Sequence, residues 1–254
     1  MHLKEILEKK ALCQLEEVDE VGEPLDTDEL AEYDSLLIGA AADCVAEIAD
    51  VLGSDFLPIF DVFLDLILGY YKPSNAVSER STAIGCLSEI TNNLDAAITK
   101  YTNVLFSLFM DGLASKDAEV RSNAAYGVGV LVEHSTEDAS SHYTGILKAL
   151  YPLLESSNES NQADNACGAI ARLIRKNPTA VPLSQLLPVW LKYLPLKSDH
   201  QEDLVIYDTL SFLLQNYLDE VKPFREILAN IFRAALSNEE TLMSEEARAY
   251  ITSL

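Results

Sequence analysis

Apolar residues recur every three to four positions along almost the whole chain, and alternating strand-like runs are scarce. The pattern predicts an all-α protein of paired helices: 1–15 with 30–52, 54–72 with 76–95, 97–115 with 118–135, 140–156 with 160–177, 182–197 with 200–217, and 221–237 with 239–254. Asn177-Pro178 and Lys72-Pro73 break helices, and Ser198 with Gln201 and Ser237 with Glu240 have capping-box spacing.

The pairs repeat. A shift of 42 residues lays Ala41–Ile48 on Ala83–Ile90, Ala125–Val132 and Cys167–Ile174, with a weaker copy through Thr209–Phe212. The intervening helices carry larger apolar residues, and three contain a Leu-Pro or Tyr-Pro step at Pro58, Pro152 and Pro188. Proline inside a helix costs about 3 kcal/mol, so its recurrence implies a kink built into the unit. One pair of this size cannot bury its apolar face alone. Stacked pairs can, so the chain is expected to form an α-solenoid of about six repeats.

Glycine in a helix interior costs roughly 1 kcal/mol relative to alanine, yet Gly127 and Gly129 share one predicted helix. The column Asp43, Gly85, Gly127, Ala169 and Ser211 is mostly small, as close helix approach requires. Within each second helix the stripe Leu37, Ala41, Cys44, Ile48 and its copies is assigned to the core. The opposite stripe then runs through Ser81, Ile84 and Ser88, through Glu119, Asn123, Tyr126 and Val130, through Asn161, Asn165, Gly168 and Arg172, and through Asp203 and Tyr207.

Composition narrows the function. The chain has 254 residues, 41 acidic against 18 basic, and a net charge of −23. Such a surface repels nucleic acid and anionic membranes and attracts basic partners. No apolar run is long enough to span a bilayer, and the charged start does not read as a signal peptide. The four cysteines have no metal-site or disulfide spacing, which suits a reducing compartment. The four histidines are isolated, and no nucleophile, phosphate-loop or zinc-protease motif is present. The expectation is a binding protein, not an enzyme, without cofactor or metal.

The proline-bearing first helix, an acidic turn such as Ser115–Arg121, and a small-residue second helix resemble HEAT repeats, an armadillo-like class. The stretches at 119–134, 164–174 and 193–203 further resemble the C-terminal end of an importin-β-family (karyopherin-β) nuclear import receptor, within it the importin-four type. The resemblance implies that residues 1–254 are the end of a longer array. It implies that second helices line a concave face and that cargo is basic and lysine-rich, including histones H3 and H4, with ribosomal proteins. It also implies Ran and nucleoporins as partners of the full receptor, and a monomer shuttling between cytoplasm and nucleus.

On that reading Asn123, Asn165 and Tyr207 form a ladder, with Glu119, Asn161 and Asp203 one turn earlier and Tyr126 alongside. An amide donates to and accepts from an extended backbone, a carboxylate pairs with ammonium, and an aromatic face packs on a lysine stem. Glu79 and Asp164 are secondary candidates. The alternative reading is that the two asparagines brace turns between repeats. Residues 16–34 hold ten acids and no Lys or Arg, and are expected to form an acidic flexible loop. Glu16, Glu17, Asp19, Glu20, Asp26, Asp28 and Glu29 either capture basic cargo or serve solubility. The rival function for the whole chain is a HEAT scaffold subunit that holds folded partners.

Overall fold

The computed structural model describes residues 2–15, 27–155 and 160–254. In chain order the helices are α1 (His2–Leu7), α2 (Leu12–Leu15), α3 (Thr27–Leu52), α4 (Leu57–Tyr70), α5 (Val77–Asn93), α6 (Thr102–Leu113), α7 (Ala118–His134), α8 (Tyr143–Leu154), α9 (Ser160–Lys176), α10 (Leu183–Trp190), α11 (Asp203–Asn216), α12 (Leu218–Val221), α13 (Arg225–Ser237) and α14 (Glu245–Thr252). No strand occurs among the described residues, and none of the described helices is long and apolar enough to cross a membrane.

The fold is an all-α solenoid of about six helix pairs, as the 42-residue period requires. The second helices α3, α5, α7, α9, α11 and α14 pack side by side along the array. Each first helix closes one flank: α4 on α5, α6 on α7, α8 on α9. The core stripe is confirmed inside the array, where Ala83, Cys86, Ile90, Ala125, Val128, Val132, Cys167, Ile170 and Ile174 are all buried. In α3 the equivalent Ala41 is buried but Cys44 and Ile48 are exposed, because none of the described helices covers that side of the first pair.

The paired glycines of α7 serve two different contacts. A Cβ on Gly127 would strike Ser88 Oγ on α5 and stand 2.5 Å from the Phe109 ring on α6. A Cβ on Gly129 would stand 2.8 Å from Ala169 Cα on α9. The helix therefore touches both neighbouring second helices and its own partner, and glycine is what permits all three approaches at once. Such crowding also buries most of the stripe expected to face outward: Ser81, Ile84, Ser88 and Val130 are enclosed.

Several local expectations are corrected. The first predicted helix is broken in two at Lys9, whose φ of 54° closes α1 while the Lys10 N–H donates to the Glu5 carbonyl. Helix α3 starts at Thr27, so the end of the expected acidic loop is helical through Asp34. Glu16, Glu17, Asp19, Glu20 and Asp26 lie outside the described residues, and only the backbone of Asp28 and Glu29 is described, in the first turn of α3. Pro58 stands in the first turn of α4, where its missing N–H costs nothing, while Pro152 and Pro188 lie inside α8 and α10. The expected Ser237 capping box does not form: Asn238 Oδ1 accepts from the Glu240 N–H. Asp199 accepts from the Gln201 N–H, and Ser244 caps α14 by accepting from the Ala247 N–H.

Candidate functional site

Across the second helices runs a polar groove of ≈ 320 Å³. Gly85, Ser88, Glu89 and Asn92 come from α5, Asn123 and Tyr126 from α7, and Asn165 and Arg172 from α9. Asp199, Gln201 and Glu202 come from the turn entering α11. The walls therefore belong to the second, third, fourth and fifth pairs. Of the residues expected at a site, the groove brings together Asn123, Tyr126 and Asn165.

Both asparagines brace the array while lining the groove. Asn123 Nδ2 donates to the Ser81 carbonyl and Oγ, each at 3.2 Å. Asn165 Nδ2 donates to the Ser122 carbonyl at 3.3 Å and to its Oγ at 3.0 Å. A carbonyl only accepts, so these contacts fix which end of each amide faces the preceding helix. Oδ1 of each has no partner among the described residues. The bracing role and the groove role thus coexist, but the amides offer a ligand only their acceptor. Gly85 leaves room for the first of them: its Cβ would stand 3.1 Å from Asn123 Nδ2.

Arg172 occupies the groove floor. Its Nε donates to Glu133 at 2.8 Å, its two terminal nitrogens fork onto the Glu202 carboxylate, and its guanidinium lies 5.3 Å above the Tyr126 ring. Arg172 and Glu202 are both buried. Burial pushes the Glu202 carboxyl up, against the pull of Arg172, while the two carboxylates around Arg172 keep the guanidinium protonated. Glu89 is reachable from solvent, yet the walls enclose its carboxyl enough to push it up, opposed by the nearby Tyr126 hydroxyl and Arg172 guanidinium. The Tyr126 phenol is in turn pushed up by burial and by Glu89. Glu89, Asp199 and Glu202 line the groove with Arg172 as its one lining cation, so the lining carries net negative charge.

Asp164 builds one wall from behind. Its buried carboxylate accepts from the backbone N–H groups of Ser198 at 2.8 Å, Asp199 at 3.0 Å and Lys197 at 3.3 Å. This pins the turn that presents Asp199 and Glu202. Asp164 is accordingly spent on structure, which corrects its assignment as a ligand contact.

The remaining expected residues are elsewhere. Asp203 is 1% exposed and accepts from His200 Nδ1 at 2.8 Å, with the Leu242 backbone close by. The segment before α14 folds over it. Tyr207 is fully buried in α11. The predicted ladder therefore ends at Asn165, because α14 covers the face that the 42-residue shift would have left open. Glu119 and Asn161 are exposed in the first turns of α7 and α9, outside the groove lining. Glu79 accepts from Lys9 Nζ at 3.2 Å and ties α5 to the start of the chain. Arg121 Nε donates to Gln162 Oε1 at 2.8 Å, linking α7 to α9.

Sequence reasoning missed Glu89, Asn92, Asp199, Gln201 and Glu202. Glu89 lies one residue beyond the stripe followed along α5, and Asp199, Gln201 and Glu202 enter the sequence reading only through a helix start and a family resemblance. Acids clustered around a stretch already marked as distinctive were the available signal. A second, apolar cleft of ≈ 270 Å³ lies between the first helices α8 and α10, lined by Leu147, Tyr151, Leu186 and Val189 among others.

A model for HEAT-like repeats matches residues 118–173. A probable importin subunit beta-4 of Schizosaccharomyces pombe is 35% identical over 247 residues, 97% of this chain and 22% of that protein. Importin-4 of Homo sapiens is 39% identical over 228 residues, 86% of this chain and 20% of that protein. Among solved structures, Kap121p superposes with a TM-score of 0.56 at 19% identity over 91% of this chain and 25% of its own. A designed armadillo repeat protein gives 0.59 at 15% identity, covering 99% and 97% of the two chains. Those two identities speak to the fold alone. The chain spans about a fifth of the length of the curated relatives it matches.

Proposed function

We propose that this HEAT array, homologous over nearly its whole length to a fifth of an importin-4 receptor, is a cargo-binding segment of a nuclear import receptor. Its groove takes a basic, lysine-rich segment of a protein such as a histone or ribosomal protein. The observation that carries this reading is the groove's chemistry. Three lining carboxylates, two amide oxygens and one internally paired guanidinium make a surface of acceptors with surplus negative charge. Only a donor-rich, cationic segment complements it. A net charge of −23 over the chain would speed the encounter with such a segment. As part of a receptor, the segment would shuttle between cytoplasm and nucleus, with Ran and nucleoporins engaged by the whole molecule. The acidic stretch at 16–26 would add to capture of basic cargo rather than to its fixed placement.

A lysine-rich histone H3 tail peptide, immobilised and challenged with this chain at low and at high salt, tests the reading. Retention at low salt with release at high salt is expected, since surface electrostatics are screened within about 3 Å at 1 M salt. Absence of retention at low salt rejects it. The rival reading, a HEAT scaffold, is favoured by the apolar cleft between α8 and α10. It predicts partners held equally well in high salt.

A further inference from the structure

A second hollow opens on α9 beside the groove. Arg172 lines the groove, and Arg175 lines a separate well of ≈ 200 Å³ between α9, α11 and α14. Asp208, Ser211, Phe212 and Gln215 of α11 have i, i+3, i+4 and i+7 spacing, so one face of that helix forms the wall. Ser244 and Glu246, at the start of α14, close the other side. The well is smaller than the roughly 300 Å³ at which a cleft takes a drug-sized molecule. It suits the end of one side chain.

Ser211 stands out in this wall. It is 5% exposed, and its Oγ has no hydrogen-bond partner. Thr209 nearby and Ser88 in α5 each donate to the carbonyl four residues back, at 2.7 and 2.8 Å. Ser211 does not, and a buried polar atom without a partner destabilises until something pairs with it. Other acceptors around it are open as well. Asp208 Oδ1 accepts from Ser244 Oγ at 2.6 Å, which leaves its second oxygen. Neither Glu246 nor Gln215 uses its side chain in a hydrogen bond or ion pair among the described residues. The one lining cation, Arg175, is exposed, lies 4.8 Å over the Phe212 ring and pairs with neither carboxylate.

We propose that this well is a second subsite for a basic side chain, filled by the same segment that lies in the groove, with Asp208 and Glu246 meeting its charge and the Ser211 hydroxyl taking one of its donors. The proposal rests on the reading of the groove as a site for a basic segment. Two carboxylates against one guanidinium favour a cation over an anion. The register supports one continuous path. Ser211 and Gln215 stand three 42-residue periods after Gly85 and Glu89, which line the groove, so both hollows open on the same face of the second helices. Along α9 the step from Arg172 to Arg175 is one helical turn, about 5 Å. A segment leaving the groove there meets the well next.

The test is the affinity of a lysine-rich peptide on a Gly-Ser backbone, by fluorescence anisotropy at physiological salt, for the wild type, Ser211→Ala, Glu246→Gln and Glu119→Gln. Ser211→Ala changes no charge and breaks no hydrogen bond of the free protein, so its urea midpoint should hold or rise. Binding is expected to weaken about threefold or more in Ser211→Ala and in Glu246→Gln. Glu119→Gln removes the same charge outside both hollows and should weaken it by less than about twofold. If the wild type binds the peptide, unchanged affinity in Ser211→Ala or in Glu246→Gln overturns the subsite and leaves the groove reading standing. An equal loss in Glu119→Gln does the same, since net charge alone then accounts for the effect. A lowered urea midpoint in Ser211→Ala overturns it too, because the hydroxyl would then have a partner of its own. If the peptide does not bind the wild type, the groove reading falls and this proposal with it.

Discussion

Asn165 holds Ser122 of the preceding helix by both its carbonyl, at 3.3 Å, and its hydroxyl, at 3.0 Å. Asn123 does the same to Ser81 one pair earlier. Each amide links two second helices and fixes the spacing of the groove's floor. Removing the Asn165 amide leaves a buried serine carbonyl without this donor. Asn165→Ala is therefore expected to lower stability by about 1–3 kcal/mol, read as a lower urea midpoint. Asn123→Ala should cost less, because Asn123 is only half-buried. Unchanged midpoints for both would remove the brace from the account.

Gly168 lies against the Arg172–Glu202 pair. A Cβ there would overlap the Glu202 carboxylate and stand 3.0 Å from Arg172 Nη1. Neither group can step aside without breaking the fork. Gly168→Ala is expected to destabilise by about 1–3 kcal/mol, as overpacking of a filled interior does. Gly39, in the middle of α3, is the control: nothing lies within 4 Å of its Cβ position. Gly39→Ala should stabilise by roughly 0.5–1 kcal/mol through helix propensity alone. Thermal unfolding of the two variants checks the opposite signs.

His200 joins the fifth pair to the sixth. Its Nδ1 lies 2.8 Å from Asp203 and its Nε2 3.7 Å from Glu240. The hydrogen bond to Asp203 raises the imidazole above its ordinary value of 6.5. The folded state then holds the proton more tightly than the unfolded one. Its contribution to stability is full below pH 6.5 and is lost as pH rises through the raised value. Unfolding midpoints should fall across that window, and His200→Gln should flatten the fall. An imidazole titrating at or below 6.5 by NMR would contradict the assignment.

The helix pairs, their 42-residue period and the core stripe were legible in the sequence because each depends on neighbours a few residues apart or one repeat away. Cys86, Val128 and Ile170 are buried as their spacing requires. The groove was half legible. Asn123, Tyr126 and Asn165 were found by carrying one register along the chain. Glu89 and Glu202 were not, because they meet across three pairs, and that meeting depends on how the stacked helices curve. The same register misled at Asp203 and Tyr207. Periodicity assigns a face to each residue but does not say that the segment before α14 folds back over α11. Nor does it show that Asp164 turns inward to collect three backbone N–H groups.

Glu89 is the exposed carboxylate of the groove across α5, α7 and α9, which is proposed to receive a cationic segment. The most direct measurement is the affinity of a lysine-rich peptide for the wild type and for Glu89→Lys at physiological salt, with Glu119→Lys as a surface control of equal charge change. The account predicts a loss of about tenfold or more at Glu89 and a much smaller loss at Glu119. Equal affinities for the wild type and Glu89→Lys, or equal losses in the two variants, would contradict it.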